Sequence, residues 1–104
     1  MEADPWVSPN EDFLLLVKRA GTSGYGVTDI FISFNENGEW SEAFNLGRDY
    51  NSHGVDGSPM LTPDGKHLIF TTNRFSDNPS KFDGSLDIYV RSFDLDEIKK
   101  AIPN

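Results

Sequence analysis

The chain repeats itself, and that repeat limits its possible folds more than any other feature. Pro5-Trp6-Val7-Ser8-Pro9-Asn10-Glu11-Asp12-Phe13-Leu14-Leu15-Leu16-Val17 aligns with Pro59-Met60-Leu61-Thr62-Pro63-Asp64-Gly65-Lys66-His67-Leu68-Ile69-Phe70-Thr71 at an offset of 54 residues. Further along, Thr28-Asp29-Ile30-Phe31-Ile32-Ser33 aligns with Leu86-Asp87-Ile88-Tyr89-Val90-Arg91 at an offset of 58, so the second unit carries four extra residues between its blocks. A self-similar period of this size lies just above the roughly 40 to 50 residues of a propeller blade and fits one if the excess sits in loops.

Each unit reads as a meander of antiparallel strands. Strand one is expected over Pro5 to Ser8 and Pro59 to Thr62, strand two over Phe13 to Val17 and His67 to Thr72, and strand three over Thr28 to Phe34 and Leu86 to Phe93. Between the first two strands, Pro9-Asn10-Glu11-Asp12 and Pro63-Asp64-Gly65-Lys66 are turn sequences: proline presets one dihedral, and Asn, Asp or Gly tolerates the left-handed one. Asn37-Gly38 is a strong hairpin signal feeding a fourth strand near Ala43 to Leu46, for which the second unit has no counterpart. Phe13 to Val17 is apolar at every position, so that strand needs cover on both faces, as stacked blades provide. A plain two-sheet sandwich would cover it too but leaves the repeat unexplained. Leu14 and Leu68 are expected in the core.

The chain should therefore be all-β: a first blade over 1–47, a second over 57–93 lacking its fourth strand, and a short terminal helix over 94–103. Asp94 can cap that helix, with Glu97 at its third position, Lys99 and Lys100 near its end and Pro103 as its stop. Leu95, Ile98 and Ile102 share one face, expected to pack on the last blade.

Nine Lys plus Arg against seventeen Asp plus Glu give a net charge of −8, which argues against nucleic acid or anionic lipid as partners. No apolar run approaches the length of a membrane span, so no membrane insertion is expected, and Met1-Glu2-Ala3-Asp4-Pro5 has no signal-peptide character. The absence of cysteine excludes disulfides and thiolate chemistry but does not fix a compartment.

Ser8-Pro9-Asn10 and Thr62-Pro63-Asp64-Gly65-Lys66, each followed by an apolar strand and then by Asp29-Ile30-Phe31 or Asp87-Ile88-Tyr89, resemble the WD40-like PD40 repeat of TolB-type propellers. Two such repeats cover nearly the whole chain. Gly38-Glu39-Trp40-Ser41-Glu42-Ala43-Phe44-Asn45-Leu46-Gly47, with Asn51-Ser52 and Thr72-Asn73-Arg74, is similar to the bacterial cell-envelope branch of that group. The resemblance implies a six-bladed propeller, in a parent protein or an assembly, that is extracytoplasmic or periplasmic and serves as a protein-interaction platform. Such propellers are sometimes fused to peptidase or peptidoglycan-binding domains. The first unit departs from the pattern where Asn10-Glu11-Asp12 stands for Asp-Gly-Lys.

The repeated positions read as structural. Pro9, Pro63, Asp64 and Gly65 build turns, and Asp29 and Asp87, at one place in both units, should hold the blade by accepting backbone N–H bonds. Ser52-His53 with Asp49 or Asp56 has the residue types of a hydrolytic triad but no nucleophile elbow, and triad members are rarely sequence neighbours. His53 and His67 stand alone, and no calcium loop of the Asp-x-Asp-x-Asp-Gly type occurs; Asp77, Asn78, Asp83 and Ser85 read as solvated loop polarity. Neither a metal nor a cofactor is expected. Trp40 is expected to pack beneath the hairpin.

Strand reversals place the turns 9–12, 35–38 and 63–66 on one rim and the long connections 18–27, 47–57 and 73–85 on the other. Lys18, Arg19, Arg48, Arg74 and Lys81 in the long connections outnumber Asp49, Asp56, Asp77 and Asp83, giving net +1 in a chain of −8. Tyr25, Tyr50, Phe75 and Phe82 accompany them, and aromatics with arginine are the composition of interface anchors, although the same rings serve equally well to pin the long loops onto the blade. The candidate binding residues are Arg19, Tyr25, Arg48, Tyr50, His53, Arg74 and Phe75, with Arg19, Tyr50 and Arg74 expected to be dispensable for folding. The expected function is a non-enzymatic module that binds a protein or cell-wall glycan through this rim. The alternative is the propeller part of a larger hydrolase whose catalytic residues lie elsewhere. Two blades cannot close a ring, so homo-oligomers are expected of the isolated chain.

Overall fold

The computed structural model describes residues 2–19, 24, 26–75 and 86–102. β1 (Glu2–Val7), β2 (Phe13–Arg19) and β3 (Thr28–Glu36) form an antiparallel meander, and two short strands, β4 (Glu39–Trp40) and β5 (Phe44–Asn45), pair with β3 beyond it. β6 (Asp56–Leu61), β7 (His67–Thr72) and β8 (Asp87–Ser92) make a second antiparallel sheet, followed by helix α1 (Leu95–Ala101). The two sheets and one seven-residue helix give an all-β fold among the described residues.

The two sheets are built to one register. Leu15 faces Ile32 as Ile69 faces Val90, and Lys18 faces Asp29 as Thr72 faces Asp87. Even the irregularity repeats: the ladder slips between Ala3 and Trp6 and again between Gly57 and Met60, with Pro5 and Pro59 inside the slip. A bulge leaves a residue out of the ladder, which is where a residue lacking an N–H can sit. Strand one therefore does not begin at the proline, as the sequence suggests, but runs back through it to Glu2 and Asp56.

The turns coincide as well. Ser8 N–H bonds Phe13 C=O at 3.0 Å and Glu11 N–H bonds Ser8 C=O at 2.8 Å; Thr62 N–H to His67 C=O and Gly65 N–H to Thr62 C=O repeat these at 3.0 and 2.8 Å. Glu11 adopts φ +56° where Gly65 adopts +72°, so the first turn keeps its shape although its glycine is missing. Asn37 and Gly38 both have positive φ, as the tight hairpin between β3 and β4 requires. Trp40 does not pack beneath that hairpin: it lies on the two-residue β4 and is 41% exposed.

One core lies between the sheets. Phe13, Leu15 and Val17 of β2 and Ile30 and Ile32 of β3 join Leu61 of β6 and Leu68 and Phe70 of β7, with β6 lying against β1, β2 and β3. On β2 the core residues are the odd positions; on β7 they are the repeat equivalents of Leu14 and Leu16. The sheets thus meet through opposite faces of one repeat. Leu68 is fully buried as expected, whereas Leu14, on the outer face of the first sheet, is half-buried.

Asp94 caps α1 by accepting the Asp96 and Glu97 N–H groups at 3.1 and 3.2 Å, and Ile98 enters the core. Lys99 reaches over the Phe34 ring at 5.6 Å, so the helix closes the short-turn end of the inter-sheet seam and touches both sheets, not the second alone. Pro103 lies outside the described residues.

The left-handed backbone at Glu11 costs an L-residue roughly 1–2 kcal/mol, more than the extra unfolded-state entropy of glycine, and the Glu11 side chain is exposed. Glu11→Gly is expected to stabilise the protein by about 0.5–1 kcal/mol in urea unfolding, while Gly65→Ala destabilises it by a similar or larger amount.

Candidate functional site

The long connections are knitted together by buried polar side chains. Asn51 is 4% exposed and acts as a strand partner for Ile30: its Oδ1 accepts the Ile30 N–H at 2.8 Å and its Nδ2 donates to the Ile30 C=O at 3.1 Å. The same amide donates to Asn45 Oδ1 at 2.9 Å, and Asn45 Nδ2 donates to Asp29 Oδ2 at 2.9 Å. Asp29 thus takes a side-chain amide from β5. Asp87, its equivalent in register, is exposed on β8, beside which no further strand lies among the described residues.

Asp56 is the second centre. Its carboxylate is fully buried; Oδ2 accepts the Ser52 N–H at 2.8 Å and the Ser52 hydroxyl at 2.9 Å, and Oδ1 pairs with Arg74 Nη2 at 3.2 Å. Arg74 Nη2 also donates to the Tyr50 carbonyl, Nε donates to Thr72 Oγ1 at 3.1 Å, and the guanidinium lies 4.4 Å from the Tyr89 ring centre. Across the seam, Thr28 Oγ1 donates to the Asp56 C=O at 3.1 Å, and Val27 N–H donates to the Gly54 C=O at 3.0 Å. Gly26 lies so close beneath this loop that a Cβ there would fall 2.4 Å from the Ser52 carbonyl oxygen, which explains why glycine occupies the position.

The seven candidate binding residues therefore divide. Arg19 ends β2 and is exposed; Arg48 and His53 are exposed in the 47–57 connection; Phe75 is 64% exposed beside Tyr89, with ring centres 5.6 Å apart. Arg74 and Tyr50 instead hold the fold. Tyr50 is buried against Phe93, and its hydroxyl donates to the Ser92 C=O at 3.2 Å. These contacts correct their expected dispensability for folding. Tyr25 and the acidic loop with Asp77, Asn78, Asp83 and Ser85 lie outside the described residues. Pro9, Pro63 and Asp64 are exposed in their turns, with the Asp64 carboxylate taking the Thr62 hydroxyl at 2.6 Å and the Lys66 N–H at 3.0 Å. The Ser52 hydroxyl donates to Asp56, and His53 is exposed beside it in the chain.

A concave surface lies on the other rim. A groove of about 660 Å³ opens between the hairpin and α1, lined by Phe34, Phe44, Asp12, Glu36, Glu42 and Lys99 among others. Sequence reasoning treated this rim as turns only, although Phe34, Trp40 and Phe44 cluster around Asn37-Gly38 in the sequence. The described residues hold no group of three potential metal ligands and no helix long and apolar enough to cross a membrane.

Breaking a buried ion pair costs about 3–5 kcal/mol because the remaining charge stays desolvated. Arg74 is 17% exposed, so the lower end applies: Arg74→Ala is expected to lower the thermal midpoint by about 10 °C or more, and Arg74→Lys by less, because lysine keeps the charge without the planar fork. The tyrosines should titrate apart. Burial pushes the Tyr50 phenol above its ordinary value, so its contribution to stability holds below about pH 10 and is lost as pH rises through the folded-state value. A hydrogen bond from Arg91, with Arg74 nearby, brings Tyr89 below that value. In an ultraviolet titration, the phenolate signal removed by Tyr89→Phe should appear at lower pH than the one removed by Tyr50→Phe.

No family profile, curated protein or solved structure matches the chain.

Proposed function

We propose that the chain is a non-enzymatic binding or scaffolding module: two consecutive blades of a TolB-like propeller that engage a protein segment or cell-wall glycan through the long-loop rim, in an extracytoplasmic setting. The blade reading is supported by the repeated register, the repeated proline bulge and the meeting of the sheets through opposite faces. The observation that carries the binding reading is Phe75. It is 64% exposed, yet it leans on Tyr89, whose ring is held by the Arg74 guanidinium and through it by buried Asp56. A partner covering this ring would gain apolar burial with little ordering cost, which is the property of an interface anchor. Arg19, Arg48 and His53 supply polar contacts on the same rim.

A second reading places the site in the groove of the hairpin rim instead, since a lining that combines Phe34 and Phe44 with Asp12, Glu36 and Glu42 suits a sugar or a basic peptide. In the alternative reading, the chain is the propeller part of a larger hydrolase with its catalytic residues outside this chain.

Co-sedimentation with purified peptidoglycan sacculi and binding to an immobilised peptide array test the proposal on both partner classes. Phe75→Ala and Arg19→Ala are expected to weaken retention about tenfold with an unchanged thermal midpoint, while Glu42→Ala and Lys99→Ala leave it intact. Loss confined to the groove variants would move the site to the hairpin rim; retention by neither probe would remove the binding reading.

A further inference from the structure

The apolar residues left exposed on the second sheet are not scattered. Met60 is 47% exposed, Ile88 76% and Val90 54%, with half-buried Ile69 between Met60 and Val90 in the ladder. In the repeat these four are the equivalents of Trp6, Ile30, Ile32 and Leu15. Ile30, Ile32 and Leu15 are fully buried, and Trp6 packs against the same core. One set of positions is thus covered in the first sheet and bare in the second. What covers it in the first sheet is the opposite face of the next sheet, through Leu61, Leu68 and Phe70.

The residues equivalent to Leu61, Leu68 and Phe70 are Val7, Leu14 and Leu16, on the outer face of the first sheet. Val7 is 44% exposed and Leu14 half-buried, while Leu16 and Phe31 lie deeper on that face and Lys18 stands 4.8 Å over the Phe31 ring. The chain therefore carries on its two outer sides the counterparts of the interface it makes internally, open at Val7 and Leu14 on the first sheet, where Leu16 is already buried, and at Met60, Ile88 and Val90 on the second. A contact between unlike surfaces of identical copies is heterologous and adds copies head to tail.

We propose that the Met60, Ile69, Ile88 and Val90 face of one copy docks on the Val7 and Leu14 face of a second copy, continuing the internal sheet stacking between chains. This rests on the observed packing and not on what the rim binds, so it stands or falls separately from the binding reading. An isologous dimer, in which like faces meet, has no precedent in the packing within the chain.

Complementation distinguishes the two geometries. Ile88→Lys disables the second-sheet face and Val7→Lys the first-sheet face, both at exposed positions. By sedimentation at micromolar concentration the unmodified chain is expected to be larger than a monomer. Each variant alone should be a folded monomer, with association weakened at least tenfold. An equimolar mixture of the two should give a one-to-one dimer, because each supplies the face the other lacks. A monomeric unmodified chain, a Val7→Lys variant that associates as well as the unmodified chain, or a mixture that stays monomeric would each overturn the proposal. Should circular dichroism show either variant to be unfolded, Met60→Lys and Leu14→Gln test the same two faces and carry the same outcomes.

Discussion

The carboxylate of Asp56 sits fully buried where the two sheets join, and elements on either side of it supply the bonds that replace its lost hydration. Removing such a group from solvent costs several kcal/mol unless hydrogen bonds and an opposite charge replace the lost hydration. Here the replacements come from both sequence directions: Ser52 from the connection before β6 and Arg74 from the end of β7. Arg74 then takes the carbonyl of Tyr50 and stacks on Tyr89, so one ion pair fixes the 47–57 connection against the second sheet. Thr28 hydrogen-bonds the Asp56 backbone from the first sheet.

Around that joint, two copies of one strand pattern end in different environments. Asp29 and Asp87 occupy the same register position, yet one is fully buried and bonded to Asn45, and the other is exposed. The difference lies outside the repeat: the first sheet has β5 and Asn51 beside β3, and no described element plays that part beside β8. The same asymmetry separates Ile30 from Ile88 and Ile32 from Val90. Equivalent residues supply equivalent strands, while burial is decided by neighbours.

The two rims also exchange some of the roles their lengths suggest. Long connections are usual places for binding residues because irregular backbone can present side chains freely. In this chain much of the long-connection polarity is consumed in satisfying backbone groups such as those of Ile30, Val55 and Asp56, and only part of the rim's aromatic and cationic character faces outward. The short-turn rim gains its groove because α1 folds back beside the hairpin, a juxtaposition that turn length alone does not encode.

The three main strands of each unit, their order, both proline turns, the Asn37-Gly38 hairpin and the capped helix were legible in the sequence, because each depends on local chemistry: alternation and apolar runs, residues that accept left-handed backbone, a side chain that caps. The two-residue strand Glu39–Trp40 was not. The repeat extended this reading to register, since residues at a fixed offset meet equivalent partners. The fates of Tyr50, Arg74 and Trp40 were not legible. Whether a tyrosine or arginine faces a partner or a buried carboxylate depends on residues about twenty to forty positions away, and a tryptophan beside a hairpin is covered only if another element reaches it. Only the tertiary structure decided that the two sheets meet by opposite faces, because face-to-face pairing is set by how whole sheets pack and not by the pattern within a strand.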